Sequence, residues 1–307
     1  MTRTVSRLIA TAAAVGLCAV AVGACGSSSK SSSSGSSVPA QTSTAGSSAS
    51  GVVAALASKV PAAVRSKGTL TVGADATYPP NEFIGSDGKT VEGMDADLAK
   101  ALAGVLGLKA DVKNATFDSI IPGLAAHKYD LGMSSFTDTR EREKTVDFVT
   151  YFSAGTSFYV KAQGGLTVNT LADLCGKTVA VEKGTTQQAD AEGQSKKCSG
   201  GKVTVLTFPD QNGANLALSS GRAQVGMADS PVADYQVKKS SGQFKLVGRP
   251  YGTAPYGIAM AKDSGMAPVV KAALQDLIKN GAYMNVLAKW GITSGAIKTP
   301  VINGAIS

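Results

Sequence analysis

The stretch LTVGADATYPP at residues 70–80 indicates how the folded part of the chain begins. Its first three residues form a short apolar strand, which breaks at Gly73 and is followed by Asp75 and a Tyr-Pro-Pro turn. Residues 97–106 then place their apolar side chains on one face of a helix, and Val112 begins a second strand. A helix over 118–127 and a strand over 129–134 continue the alternation. This order of elements favours an α/β fold with a parallel or mixed sheet.

The pattern restarts after residue 176. Strands are predicted over 177–181, 203–208, 225–228 and 244–247, with helices between them that begin near Gln187, Ala214 and Pro231. A further strand over 256–261 and helices over 269–279 and 282–289 follow. A chain of 307 residues is long enough for two domains. We therefore expect two α/β lobes.

Composition and charge exclude several classes of protein. Hydrophobic residues make up 43% of the chain and charged residues 17%, which argues against wholesale disorder and against a multi-span membrane protein. The net charge is +8, but the basic residues are dispersed, and no Lys/Arg cluster is interleaved with aromatic residues, so nucleic-acid binding is not expected. His127 is the only histidine, which disfavours a histidine-rich metal site and a Ser-His-Asp triad. We expect neither a metal nor a cofactor.

Residues 1–24 have the pattern of a signal peptide. Arg3 and Arg7 precede an uncharged apolar run over 8–24, which ends in VGAC at 22–25. This ending resembles a bacterial lipobox, which implies a lipid on Cys25, although a plain secretory signal with an incidental cysteine is the alternative. Residues 26–50 contain 13 serines and read as a flexible tether. We therefore assign residues 25–66 to a lipidated cysteine, a tether and a short helix interrupted by Pro61.

The exported chain keeps two cysteines, Cys175 and Cys198. Export permits a disulfide between them, which would close a loop and contribute about 3 kcal/mol in the chain-entropy model. Two free thiols are the alternative. Their spacing contains no CxxC unit, so neither redox catalysis nor zinc binding is indicated.

Four ordered pieces of sequence carry a resemblance to a known family. They are VGADATYPP (72–80) with EF (82–83) and GMDADL (93–98); FDSIIPGL (117–124); TDTRER (137–142) with DF (147–148); and GTTQ (184–187) followed by MAD (227–229), NGAY (280–283) and KWG (289–291). Together they resemble the extracytoplasmic solute-binding proteins of ABC transporters, in the polar amino-acid family.

The resemblance implies two α/β lobes joined by two crossover strands, with the ligand in the cleft. On this chain it implies a first lobe over 67–153 plus 258–307 and a second over 158–250. The hinge strands would be 154–157 and 251–257. Ligands of open α/β sheets bind beyond the carboxyl ends of strands, and several candidate residues follow predicted strands.

The α-carboxylate of an amino acid favours a guanidinium, which donates two charge-assisted hydrogen bonds. Arg140 and Arg142 compete for this role. Only Arg142 matches the family spacing from Thr137 and to the later Asp-Phe pair, so Arg140 is expected to be solvated. Thr137 and Thr186 would add hydroxyl and backbone donors. A surface salt bridge from Arg142 to a neighbouring carboxylate is the alternative interpretation.

The remaining ligand groups have their own candidates. Asp229 would bind the α-ammonium, although it is equally placed to cap a helix, and the carbonyl of Ser135 would be a second acceptor. Tyr78 and Phe117 match the family's aromatic positions and would line the ligand side chain, unless they are ordinary core residues. Asp75 is available to a basic or amide terminus.

The resemblance implies a lipid-anchored, monomeric binding protein outside the cytoplasm. It would capture a free polar or basic L-amino acid by cleft closure and deliver it to the permease of an ABC importer. Three alternatives stay open. They are a dehydratase of the cyclohexadienyl type on the same fold, the sensing domain of a receptor, and a tethered structural protein. We do not expect an enzyme, because the sequence indicates no activated nucleophile.

Overall fold

A computed structural model describes residues 51–164 and 166–306 of the chain. The predicted signal peptide, Cys25 and the serine-rich segment up to residue 50 lie outside these residues. No helix within the described ranges is long and apolar enough to cross a membrane.

Two β-sheets are present. The strands are β1 (Thr69–Ala74), β2 (Thr77–Tyr78), β3 (Glu82–Ile84), β4 (Val91–Glu92), β5 (Lys109–Asn114), β6 (Leu131–Gly132), β7 (Val146–Lys161), β8 (Thr178–Glu182), β9 (Thr204–Phe208), β10 (Val225–Asp229) and β11 (Phe244–Ala261). Eight of them form one mixed sheet in the order β5-β1-β6-β11-β7-β10-β8-β9, and β2, β3 and β4 form a small antiparallel sheet. The pairs β1–β5, β1–β6, β8–β9 and β10–β8 are parallel, as the alternation of strands and helices predicted.

Helices cover the faces of the large sheet. They are α1 (Ala54–Ala57), α2 (Ala62–Lys67), α3 (Met94–Val105), α4 (Phe117–Ala125), α5 (Arg140–Glu143), α6 (Thr186–Lys197), α7 (Gln211–Ser219), α8 (Ser230–Lys239), α9 (Ala267–Lys279) and α10 (Ala282–Trp290). Two short 3₁₀ turns lie at Leu171–Leu174 and Thr293–Gly295. The predicted single helix before β1 is two short helices, because Pro61 starts a new helix rather than continuing the first.

Strands β7 and β11 run through the centre of the large sheet. They pair antiparallel from Phe244 opposite Lys161 to Ala261 opposite Val146, with register shifts between Val247 and Ala254 and between Tyr256 and Gly257. The sequence predicted two strands over 244–247 and 256–261, and this was wrong, since β11 is one strand of 18 residues. The predicted hinge segments 154–157 and 251–257 lie inside these two strands, and the lobe boundaries themselves stay a prediction.

Each half of the sheet has its own apolar core. Leu70, Leu98 and Met260 belong to a buried cluster on one side, whereas Phe158 and Met227 belong to another. The first cluster draws only on residues up to 154 and from 256 onward. The second lies entirely between Phe158 and Met227, apart from its half-buried fringe. This division is what a two-lobed fold requires, because each lobe must bury its own apolar faces.

The disulfide predicted between Cys175 and Cys198 is present. It joins the 3₁₀ turn that precedes β8 to the residue that ends α6. Cys198 is buried within the apolar core of the second lobe. The bond therefore links the turn before β8 to the end of α6, the helix that begins at Thr186.

Candidate ligand-binding site

A cavity lies where the carboxyl ends of β1, β8 and β10 meet. Its lining residues are Asp75, Tyr78, Glu82, Phe117, Ser134, Ser135, Thr137, Arg142, Glu182, Thr185, Thr186, Gln187 and Asp229. All eight residues that the sequence analysis proposed for the ligand are in this set. The free space between these side chains is only about 10 Å³, roughly the room that one water molecule needs, so the side chains of the two lobes lie close together here.

Arg142 is half-buried and reaches into the cavity from the short helix α5. Its Nη1 donates to the carbonyl of Thr137 at 2.7 Å, and its Nη2 donates across the cleft to the carbonyl of Gly184 at 3.0 Å. Burial lowers the pKa of Arg142 to about 10, so the guanidinium is charged at neutral pH. Arg140 is exposed, as expected.

The alternative interpretation of Arg142 as a surface salt bridge is not what the structure shows. Among the described residues, the ion pairs within 4.0 Å involve lysines and His127, and none involves Arg142. Its guanidinium lies instead over the rings of Phe117 and Phe136, 5.3 and 5.5 Å from their centroids. It thus keeps a charge within the cavity that no protein carboxylate neutralises by direct contact.

Asp229 is both the last residue of β10 and the N-cap residue of α8, but its side chain makes no capping hydrogen bond. Its Oδ1 accepts from Nε2 of Gln187 at 2.8 Å. Burial raises the pKa of Asp229 to about 6, against the opposing effects of Gln187 and Arg142. The carboxyl group therefore lines the cavity and does not cap the start of α8.

The amino end of α6 also faces the cavity. Thr185 caps the helix, since its Oγ1 accepts from the N–H of Gln188 at 3.2 Å, and Thr186 is the first helical residue. Gln187 donates from Nε2 to Thr156 Oγ1 at 2.9 Å as well as to Asp229. The free N–H groups and the dipole at such a helix start favour an anion.

Two carboxyl groups from opposite lobes occupy another part of the lining. Asp75 follows β1 and is buried; its Oδ2 accepts from the N–H of Phe117 at 2.9 Å and its Oδ1 from Thr77 Oγ1 at 2.6 Å. Glu182 ends β8 and is 3% exposed, and its Oε1 has no hydrogen-bond partner among the described residues. Burial, and then the charge of Asp75, raise the pKa of Glu182 well above its usual value. Burial also raises the pKa of Asp75.

Glu82 contributes a third carboxyl group behind Ser134 and Ser135. Its two oxygens accept from the hydroxyls of these serines, each at 3.2 Å. Burial, followed by the charge of Asp95, raises the pKa of Glu82 well above its usual value. Ser135 has a left-handed φ of 52°, and its N–H donates to Asp95 Oδ2 at 2.8 Å. This network fixes the turn that brings Ser135 to the cavity.

The two predicted aromatic residues line the cavity and are also packed against the protein. The Tyr78 hydroxyl accepts from the N–H of Asp229 at 2.8 Å, which links the two lobes. Phe117 is stacked on Phe136 with ring centroids 4.4 Å apart. Their role toward a ligand side chain stays a prediction.

A model of the family described as bacterial extracellular solute-binding proteins, family 3, matches residues 70–293. The chain belongs to this family. The family and the two-lobed fold that the motifs indicated are thus confirmed, and with them a substrate-binding role.

Relatives of this family 3 protein bind amino acids. The chain is 37% identical to the arginine-binding protein ArgT of Corynebacterium glutamicum over 248 residues, which cover 80% of this chain and 81% of the relative. It is 31% identical to the L-cystine-binding protein TcyJ of Escherichia coli over 229 residues, which cover 74% and 84% of the two chains.

Solved structures agree with this classification. An ancestral arginine-binding protein bound to arginine has a TM-score of 0.68 at 38% identity, covering 73% of this chain and 98% of that one. The ancestral amino-acid-binding protein AncCDT-1, a precursor of cyclohexadienyl dehydratase, has a TM-score of 0.67 at 36% identity, covering 74% and 97%.

Sequence reasoning missed Glu182 in this family 3 protein, although the signal was available. Glu182 ends a predicted strand in the same way that Asp75 follows one, and that position was the rule used to select the other candidates. Glu82 stood within a quoted motif but received no role. Gln187 carried no chemical signal in the sequence, because an amide at the start of a helix is ordinarily solvated.

Proposed function

We propose that this protein binds a free L-amino acid with a cationic side chain, arginine first among them. The observation that carries the proposal is the pair of buried carboxyl groups, Asp75 and Glu182, which face one cavity from opposite lobes. A buried carboxylate is costly unless it is paired with a cation. A guanidinium between the two groups meets that requirement, since its planar fork of donors matches carboxylate oxygens.

The zwitterionic part of the ligand uses different residues. Arg142 and the amino end of α6 bind the α-carboxylate, and Asp229 binds the α-ammonium. These two opposite charges balance the two charges of the zwitterion. Asp75 and Glu182 are then left over for the ligand side chain, which favours a positive charge there over a neutral amide.

The relatives support the same ligand class. Two of the proteins most similar to this chain are named for arginine binding. The cystine-binding relative is less similar, at 31% identity. The prediction of a polar or basic amino acid is thereby narrowed in our proposal to a basic one.

Calorimetric titration with L-arginine and L-citrulline tests the proposal. The two ligands have almost the same shape, but citrulline lacks the positive charge. Leaving a buried carboxylate unpaired costs about 3–5 kcal/mol, so we expect citrulline to bind at least about a hundredfold more weakly. L-Lysine and L-glutamine extend the comparison by charge and length. Equal affinity for arginine and citrulline would show that Asp75 and Glu182 do not recognise the charge of the ligand side chain. If none of the twenty amino acids binds, the proposal that the protein binds an amino acid is wrong.

We further propose that the protein is a lipid-anchored component of an ABC importer, held outside the cytoplasm through Cys25. The VGAC sequence at 22–25 and the serine-rich segment support the anchor. Cys25→Ala should move the protein from the membrane fraction to the soluble extracytoplasmic fraction. Unchanged membrane retention of the variant would contradict the anchor without affecting the ligand proposal.

Dehydration of a cyclohexadienyl compound is the second candidate, because AncCDT-1 is similar to this chain. That protein is itself described as amino-acid-binding, and we therefore favour binding without turnover. Incubation with prephenate and arogenate, followed by chromatography, separates the two functions.

A further inference from the structure

The last described segment of the chain, residues 301–306, lies against the part of the molecule that carries Arg142. It is attached along β7: the N–H of Thr150 donates to the carbonyl of Val301 at 2.8 Å, and the N–H of Asn303 donates to the carbonyl of Phe148 at 3.0 Å. The Asn303 side chain in turn accepts from the N–H of Phe148 at 2.9 Å. The segment is therefore an ordered strap along the strand. We refer to residues 301–306 as the strap.

Near its end, the strap presents two consecutive backbone N–H donors, those of Gly304 and Ala305. The N–H of Gly304 donates to Asp138 Oδ2 at 2.8 Å, and the N–H of Ala305 donates to Glu143 Oε1 at 3.1 Å. These two carboxyl groups belong to residues on either side of Arg142, one before α5 and one at its end. The strap thus binds both flanks of the short helix that presents the guanidinium.

Asp138 needs this contact because it is fully buried. Its Oδ1 has no hydrogen-bond partner among the described residues, so Gly304 supplies the contact on its other oxygen. Burial, opposed by the Gly304 hydrogen bond, raises the pKa of Asp138 to about 7, and Glu143 raises it further while Arg142 lowers it. The charge of Arg142 acts on Asp138, so a carboxylate at Asp138 without the Gly304 donor would be drawn toward that guanidinium.

The backbone of Asp138 also connects the same turn to β11. Its N–H donates to the carbonyl of Pro255 at 2.9 Å, and the adjacent Thr137 bridges to Tyr256. The Thr137 carbonyl is the acceptor for Nη1 of Arg142. Displacement of Asp138 would consequently disturb the one lobe-1 acceptor that orients the guanidinium.

We propose that the strap is a positioning element of the ligand site, which binds Asp138 and Glu143 so that Arg142 stays available to the ligand carboxylate. Ile306, at the end of the strap, lines a second cavity together with Thr137, Thr186 and Asp229, so the strap also adjoins the candidate site. This inference takes its ligand, an amino acid, from the proposed function, whereas the contacts of the strap do not depend on that function.

Two shortened chains test the role of the strap. A variant that ends after Asn303 loses both donors, whereas a control that ends after Ala305 keeps both, and each carries a new terminal carboxylate. We expect the first variant to bind L-arginine about tenfold more weakly than the full chain, and the control to bind like the full chain. In the full-length chain, Ala305→Pro removes one donor without moving the terminus, and Ala305→Gly is its matched control.

L-Arginine methyl ester separates positioning from general damage, because it lacks the carboxylate charge that Arg142 binds. If the strap acts through Arg142, the loss of affinity should be confined to L-arginine, with ester affinity changed by less than about twofold. Equal losses for both ligands, or equal L-arginine affinity in the shortened variant and the control, would overturn the proposal.

Hydrogen exchange on the ligand-free proteins provides a readout that does not depend on the ligand. Amides of residues 137–143 should exchange faster in the chain that ends after Asn303 than in the control, with the rest of the molecule unchanged. If L-arginine binds to none of the proteins, the proposed function fails, and this exchange comparison still decides the strap. Identical exchange in the two chains would refute it.

Discussion

Replacing Arg142 by alanine should abolish micromolar amino-acid binding while leaving the protein folded. The side chain donates two hydrogen bonds, to the carbonyls of Thr137 and Gly184, and both acceptors belong to backbone near the cavity. In the complex, removal of the guanidinium leaves the ligand carboxylate without its cation, which costs about 3–5 kcal/mol when the group is desolvated. At about 1.4 kcal/mol per decade, this corresponds to a loss of about a hundredfold to several thousandfold in affinity. The cost to folding is smaller, on the order of 1–2 kcal/mol, since water replaces the donor at the exposed Gly184.

Calorimetric titration of Arg142→Ala against Arg140→Ala provides a matched comparison. The two variants lose the same charge, but Arg140 is exposed and lies outside the cavity lining. Arg140→Ala should therefore bind like the original protein. Arg142→Lys should be intermediate, because lysine keeps the charge and loses the two-pronged geometry. Loss of binding in Arg140→Ala, or normal binding in both alanine variants, would refute the assignment of the carboxylate subsite.

Four further predictions concern other parts of the molecule. Glu182→Gln should weaken L-arginine binding by about tenfold to a hundredfold and leave citrulline binding nearly unchanged, as measured by calorimetry; equal losses for the two ligands would contradict its assignment to the side chain. The pKa of Asp229 is raised to about 6 without ligand, so ligand binding at acidic pH must displace a proton from this carboxyl group. Affinity should therefore fall by up to about tenfold per pH unit below pH 6. A dissociation constant that is the same at pH 7.5 and pH 5 would argue against Asp229 as the partner of the ligand ammonium. The pKa of Asp229 is higher in the folded protein than in the unfolded chain. This difference stabilises the unliganded folded protein below pH 4, and the stabilisation is lost as the pH rises through about 6. Replacing Cys175 and Cys198 by serine should lower the free energy of unfolding by about 3 kcal/mol in thermal melts, and labelling of both thiols in the unreduced original protein would show that the bond is absent in solution.

The sequence predicted the cavity well where the chemistry is local. Asp75 follows β1, Asp229 ends β10 and Thr186 begins the helix after β8, and all three line the same cavity. The choice of Arg142 over Arg140 also has a simple geometric basis. The two residues are two positions apart on α5, which is a rotation of about 200° around a helix axis, so one side chain faces the cavity while the other faces solvent.

The sequence failed where pairing partners are distant. Gly248, Pro250 and Gly252 interrupt the apolar pattern between the two predicted strands. In the structure, β7 supplies a continuous partner on both sides of this interruption, and the irregularity is absorbed as register shifts within β11. Local propensity is overridden here by a long antiparallel pairing that no short window of sequence contains.

The contacts across the cleft bear on the proposed preference for a cationic ligand. Tyr78 accepts from the backbone of Asp229, Arg142 donates to Gly184, and Lys183 pairs with Asp118 at 2.8 Å, so several interactions hold the lobes together. The Lys183–Asp118 pair is largely exposed and contributes little. Closure then depends more on hydrogen bonds with neutral acceptors, which include the one from the N–H of Gln211 to Thr77 Oγ1 at 3.1 Å. Closure is opposed by Asp75 and Glu182, because two buried carboxyl groups at close range repel each other when both are ionised. A ligand guanidinium between them converts that repulsion into two attractions, and a neutral side chain does not. A ligand shifts a conformational equilibrium only by its differential affinity for the two states. In the proposed binding mode, the same pair of carboxyl groups would therefore set both the selectivity of the site and the free energy that a ligand makes available for closure.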